Sequence, residues 1–257
     1  MRTDFKTLRV TLNGPVLTVE LNRPDHGNAV DGQVLIDLLD LLRALEEDTA
    51  VRVVVLSGAG DHFCQGGDRS EFPALLAQEP GGQALRALAA RAHRVCAALA
   101  ELGAVTIARL HGDVIGAGLG LAVFCDLRIG DESCRFRMPE VGLRVPPAWG
   151  GVLPRLVEEA GRATVRKLLL TSEEFDAEKA EKFSILHEVV PVGHLNARVD
   201  QVARLVARRD PATVQITKRM LSADAHRTAG LLDEELLTAA ISRQSSGSRG
   251  RAVRAGQ

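Results

Sequence analysis

Short apolar runs alternate with longer segments of helical period along this chain, and that alternation leaves few folds open to it. RVVVLSG (52–58) and VTIARL (105–110) are too short for buried helices and too continuously apolar for half-exposed strands, so they read as strands buried on both faces. DLRIGD (126–131) reads as another strand. Between them, VDGQVLIDLLDLLRALEED carries apolar residues at 34, 35, 38, 39, 42 and 45, one face of a helix, with Asp31 placed as its N-cap. A second helix opens at Gly81-Gly82 and runs through Leu102, with Leu85, Leu88, Ala92, Val95 and Leu99 in step. Strands alternating with helices predict an α/β fold with parallel pairing. At the front, KTLRVTL (6–12) and VLTVEL (16–21) flank Asn13-Gly14-Pro15, a hairpin signal. After about residue 148 the pattern turns helical: GGVLPRLVEEAGRATVRKLLLT, AEKAEKF, VGHLNARVDQVARLVARR, PATVQITKRMLS (with Pro211 at a helix start) and LLDEELLTAAISRQ. The final SSGSRGRAVRAGQ is polar, glycine-rich and basic.

Two loops share one logic. VVVLSG…FCQGGD (53–68) and VTIARLHGDVIGAGLG (105–120) each run from a buried strand into glycine and then toward a predicted helix. Glycine inside a helix costs about 1 kcal/mol relative to alanine, so Gly116, Gly118 and Gly120 need a reason. Two readings are open. Small residues could let a helix pack tightly on the sheet. Alternatively, backbone N–H groups from the two strand ends could converge on one oxygen of a ligand, as an oxyanion hole does. A dinucleotide fingerprint fits poorly, since G-A-G-L-G (116–120) lacks the third glycine, at Leu121, and the strand lies mid-chain. A phosphate-binding loop lacks its lysine.

Composition removes other classes. A net charge of -1 and 3% aromatics without tyrosine argue against nucleic acid. The start, MRTDFKTLRV, lacks the apolar run of a signal peptide, and no segment has the length of a membrane span. Cys64, Cys96, Cys125 and Cys134 form no CxxC pair, no histidine cluster has metal-ligand spacing, and reduced thiols in a cytoplasmic protein are expected.

Five stretches in the same order resemble the enoyl-CoA hydratase/isomerase (crotonase) family. They are LTVELNRPDHGNAV (17–30), FCQGGD (63–68), HGDVIGAGLGLAVFCD (111–126), FRMPEVGL (136–143) and PPAWGGVLPRL (146–156). The resemblance spans most of the chain. It implies an α/β fold with a crotonase-like core of repeated ββα units in a spiral over 1–195, then a helical oligomerisation region over 196–257. It also implies a homotrimer or dimer of trimers. The substrate it implies is an acyl thioester, on coenzyme A or on an acyl-carrier protein, with CoA part of the substrate and no separate cofactor, metal, membrane or nucleic acid.

Carried over by position, the resemblance assigns the two carbonyl-binding N–H groups to Gly67 and Ala117. Cys64, Gly66, Asp68 and Arg69 become a substrate-binding neighbourhood, with Gly116, Gly118, Gly120 and Trp149 completing it. The family's hydratases use two glutamates. Here position 140 is Glu140, the candidate acid/base, while position 120 is glycine. Enoyl isomerisation needs only one carboxylate, and dehydration could use Glu140 with help from another group. Decarboxylation, C–C bond cleavage and a non-catalytic thioester-binding role are alternatives. Asp68, Glu71, Asp113 and His111 are candidates to replace the missing acid. Trp149 stands where the family has a small residue, either narrowing the acyl pocket or filling core.

Overall fold

The computed structural model describes residues 4–46, 48–78 and 82–222. β1 (Leu8–Asn13) and β2 (Val16–Leu21) form the expected antiparallel hairpin, turned at Gly14, whose φ is +57°. α1 (Gly32–Glu46) follows, and the Val34 N–H donates to the Asp31 carboxylate at 2.8 Å, so Asp31 caps it as expected. Then come β3 (Val53–Gly58), α2 (Phe72–Gln78), α3 (Gln83–Glu101), β4 (Val105–Leu110), β5 (Asp113–Ile115), α4 (Ala117–Val123), β6 (Leu127–Asp131) and β7 (Arg135–Arg137). The chain continues through α5 (Val152–Ala160), α6 (Arg162–Thr171), β8 (Glu174–Asp176), α7 (Ala177–Lys182), β9 (Glu188–Val190), α8 (Leu195–Ala207) and α9 (Pro211–Ser222).

The main sheet has the order β1-β2-β3-β4-β6-β9, parallel throughout from β2 onward. β5, β7 and β8 form a second, small sheet. Strand pairs followed by helices (β1-β2-α1, β4-β5-α4) give the repeated ββα pattern, with the short β5 leaving the main sheet for the small one. α1, α3 and α4 cover one face of the main sheet in a large core that includes Leu38, Leu42, Val95 and Leu121. Leu195, Val199 and Ala203 of α8 cover the other face, against Val53, Val55, Ile107 and Ile129. β3 is therefore buried on both faces, as its continuous apolar run predicts.

The structure corrects the reading in three places. The stretch read as one helix over 150–171 is two, separated at Gly161, whose φ of +78° and ψ of 148° cannot continue a helix. β5, β7, β8, β9 and α2 were not foreseen. The loop after β3 does not lead straight into a helix: Gly67 forms an isolated bridge with Val30, and α2 starts only at Phe72. The expected helix over 231–244 and the polar end over 245–257 lie outside the described residues.

Candidate active site

Three glycines open and run through α4, and each is required by a different neighbour. A Cβ at Gly116 would lie 2.9 Å from Oε1 of Glu140. A Cβ at Gly118 would meet the Cys64 carbonyl oxygen at 2.5 Å and the Cys64 Cβ at 2.7 Å. A Cβ at Gly120 would meet Cζ3 and Cε3 of Trp149 at 2.7 and 2.9 Å and Val152 Cγ2 at 3.5 Å. The tight-packing reading accounts for all three contacts. Gly118 lets α4 press onto the first loop, while Gly116 and Gly120 admit the side chains of the 139–150 loop.

The two glycine loops are laced together by backbone hydrogen bonds. The Cys64 N–H donates to Asp113 O at 3.0 Å, and the Ile115 N–H donates to Cys64 O at 3.0 Å. On its other side the first loop is bound to the 22–30 segment. Val30 N–H donates to Gly66 O and Asp68 N–H to Val30 O, both at 2.8 Å. Between these bonds lies the Gly67 N–H, which has no protein acceptor among the described residues, and a Cβ at Gly67 would meet nothing within 4 Å. Ala117 is the first residue of α4, preceded by Gly116 at φ +50°, and its N–H is likewise without an acceptor among the described residues.

The remaining candidates separate by what holds them. Cys64 is fully buried, its side chain against Gly118, and burial pushes its thiol up to about 12. It belongs to the seam between the loops. Gly66, at φ +108°, makes the turn in the first loop. Asp68 accepts from the Ser70 hydroxyl at 2.6 Å and from Arg23 at 3.1 Å, and these bonds, the Ser70 hydroxyl foremost, hold its carboxyl below the usual range. Arg69 is exposed. Glu71 is pushed up by burial and accepts from the Gly32 N–H at 3.0 Å. His111 bonds the Gly60 carbonyl through Nε2 at 2.9 Å, and burial lowers its pKa. Asp113 accepts from Gln65 at 2.8 Å and lies 3.3 Å from His62. None of the four candidates for the missing acid at 120 is without partners. The resemblance to NRP…NA did not by itself reveal what that segment does. Arg23 bridges Asp31 at 3.0 Å and Asp68 at 3.1 Å, and the buried Asn28 donates to Ala59 O and His62 O at 2.8 Å. Together they pin the first loop.

Glu140 differs from all of these. It begins the turns after β7, with its own carbonyl accepting from Leu143 and Val145 at 3.0 Å. Its Oε2 is buried and has no hydrogen-bond partner among the described residues, although the residue as a whole is half-buried. Burial pushes its carboxyl up from the usual range. A carboxylate left unsatisfied at a protein's interior edge is costly, and such groups concentrate where chemistry is done. One turn further along α4, marked by the 2.9 Å bond from Gly120 N–H to Gly116 O, the half-buried indole of Trp149 takes the room that a side chain at 120 would need. Among the described residues no cluster of histidine, cysteine or acidic groups could hold a metal, and no helix is long and apolar enough to cross a membrane.

Comparison with known proteins shows the family and the fold. Residues 11–247 match the family model described as enoyl-CoA hydratase/isomerase. The 2,3-dehydroadipyl-CoA hydratase of Escherichia coli is 31% identical over 228 residues, covering 86% of this chain and 85% of the relative. The peroxisomal Delta(3,5)-Delta(2,4)-dienoyl-CoA isomerase of Arabidopsis thaliana is 29% identical, covering 84% and 82%. A crystal structure of an enoyl-CoA hydratase/isomerase from Marinobacter aquaeolei superposes with a TM-score of 0.81 at 30% identity, covering 97% of this chain and 92% of that one. With the spiral of ββα units, the laced glycine loops and the half-buried Glu140 in one frame, the chain belongs to the enoyl-CoA hydratase/isomerase family.

Proposed function

We propose that this protein is an acyl-CoA isomerase that moves one proton with one carboxylate. The thioester carbonyl oxygen accepts hydrogen bonds from the N–H groups of Gly67 and Ala117, which stabilise the enolate as charge moves onto that oxygen. Glu140, as carboxylate, takes a proton from C2 or C4 of an enoyl thioester and returns it to the other carbon. Its raised pKa makes it a better base than an exposed glutamate. Coenzyme A arrives as part of the substrate, and the reaction needs no separate cofactor.

The observation that carries this reading is the pairing of Gly120 with Trp149. Water addition needs a second group to hold and deprotonate water, and the indole fills that position with an apolar wall. The relatives named above include both a hydratase and an isomerase, so family membership alone leaves the choice open. Self-association belongs to the same reading. Ile216, Met220 and Leu221 are exposed apolar residues on α9, which suits a homotrimer or dimer of trimers, countable by light scattering on a sizing column.

The test uses 3-enoyl-CoA thioesters in D2O, with mass spectrometry following bond migration, deuterium uptake and gain of water. The expected result is conversion to 2-enoyl-CoA with deuterium incorporated and no water gained, slowed at least ~100-fold by Glu140→Gln. Deuterium uptake that survives Glu140→Gln would refute the role of Glu140. A gain of water by the wild type would make the enzyme a hydratase.

A further inference from the structure

Among the described residues, two buried side-chain polar atoms lack a hydrogen-bond partner: Oε2 of Glu140 and Nδ1 of His93. The first is accounted for by the site. His93 lies on α3, in no motif. At about 100° per residue, His93 stands about 60° around α3 from Cys96 and about 140° from Leu88. Leu88 points to α1, at Gly32, whereas Cys96 Sγ would lie 2.7 Å from a Cβ at Gly150. His93 is therefore on the side of α3 that faces the Trp149-Gly150 turn. The 139–150 loop touches α3 at both ends of that side. Val145 packs with Leu76 and Leu85 about two turns before His93, and Gly150 sits on Cys96 and Ala92 beside it.

This places His93 on the helix along which the loop bearing Glu140 and Trp149 runs. Its neighbours there (Ala89, Ala92, Cys96) are small and buried, and none of them is a hydrogen-bond partner of its Nδ1. An imidazole nitrogen kept buried and unmatched in such a setting costs about 1–3 kcal/mol, which a ligand oxygen would recover on binding. Resting on the thioester reading above, we infer that His93 is a specificity residue of the acyl pocket. It hydrogen-bonds an oxygen carried on the acyl chain beyond the reacting carbons, so the substrate is an oxygenated acyl thioester. Trp149 forms the apolar wall between the two polar groups.

Trp149 is the chain's one tryptophan, so its emission reports ligand at this pocket directly. The full chain is titrated with short straight-chain acyl-CoAs and with their terminal-hydroxy and terminal-carboxy counterparts. The wild type is expected to bind one oxygenated series about tenfold more tightly than the plain series, since a site built around a hydrogen bond rejects the analogue lacking it. Which of the two oxygenated series is preferred tells a hydroxyl from a carboxylate. His93→Leu should abolish the preference while changing plain acyl-CoA binding by less than about threefold. His93→Gln, which keeps a hydrogen-bonding group, should restore part of it. If wild type binds all three series alike, or if His93→Leu leaves the preference intact, the assignment to His93 falls while the thioester reading stands. If no acyl-CoA alters Trp149 emission, both fall.

Discussion

The contact between Gly120 and Trp149 can be tested as a coupling. Alanine at 120 in a free helix would stabilise by about 1 kcal/mol over glycine. Here its Cβ would sit 2.7 and 2.9 Å from two ring carbons of Trp149, inside the distance that carbon atoms tolerate. With the ring lying this close to α4, overpacking should cost about 1–3 kcal/mol. The net effect of Gly120→Ala in the wild type is then destabilisation of about 0–2 kcal/mol. In a Trp149→Ala background the obstruction is gone, Val152 at 3.5 Å is an ordinary contact, and the same substitution should stabilise by about 1 kcal/mol. The double-mutant cycle should give a coupling of about 1–3 kcal/mol. Urea unfolding followed by circular dichroism at one fixed protein concentration measures all four corners, because Trp149 emission is lost in two of them. A coupling near zero would mean that the indole does not occupy the space at 120, and the case against a second carboxylate there would collapse.

Other perturbations test other parts of the molecule. Because Glu140's folded pKa is raised above its unfolded value of about 4.3, the folded state holds its proton more tightly than the unfolded chain. Its contribution to stability is therefore fully present below pH ~4.3 and is lost as pH rises through the folded pKa, so Glu140→Gln should melt higher than wild type at neutral pH, with the gain vanishing in acid. Gly118→Ala meets backbone, the Cys64 carbonyl at 2.5 Å, as well as side chain. It should destabilise by about 1–3 kcal/mol in thermal melts, and Cys64→Ala should not relieve it. Arg128 is fully buried, donating to the carbonyls of Ile185 and Cys125 at 2.7 and 3.0 Å and to Glu159 at 2.6 Å. Arg128→Ala leaves those acceptors behind and should cost about 3–5 kcal/mol of unfolding free energy. All four cysteines are buried, with Cys64, Cys125 and Cys134 pushed up to about 12, so a thiol reagent at mildly alkaline pH should label them only after denaturation.

The legible parts of the sequence were those governed by local periodicity. The hairpin, the Asp31 cap, β3, β4 and Pro211 at the start of α9 all follow from patterns within a dozen residues. β5, β7, β8 and β9 are three residues each, too short for any period to register, and they exist because distant segments pair with them. The site divides the same way. Glu140 and the absence of an acid at Gly120 are visible in the motifs. That Trp149 fills the position vacated at 120 is not, because it depends on a loop some thirty residues downstream folding back onto α4. His93 carries no local signal: on a helical wheel it is one more residue at the edge of a buried face.

The two glycine loops are laced mainly by peptide groups, with side-chain bonds from Gln65 to the Asp113 carboxylate and from the Asp113 N–H to His62 beside them. The Cys64–Val114 and Val30–Gly67 bridges ask only for backbone, and the close approach of α4 to the first loop asks in addition that Gly118 carry no side chain. Gly120, Glu140 and Trp149 follow the opposite rule, since their fit depends on side-chain size and charge. A protein built this way has a fixed anvil and interchangeable tools. Under the proposed function, exchanging two or three of these residues would change the reaction while leaving the backbone frame in place.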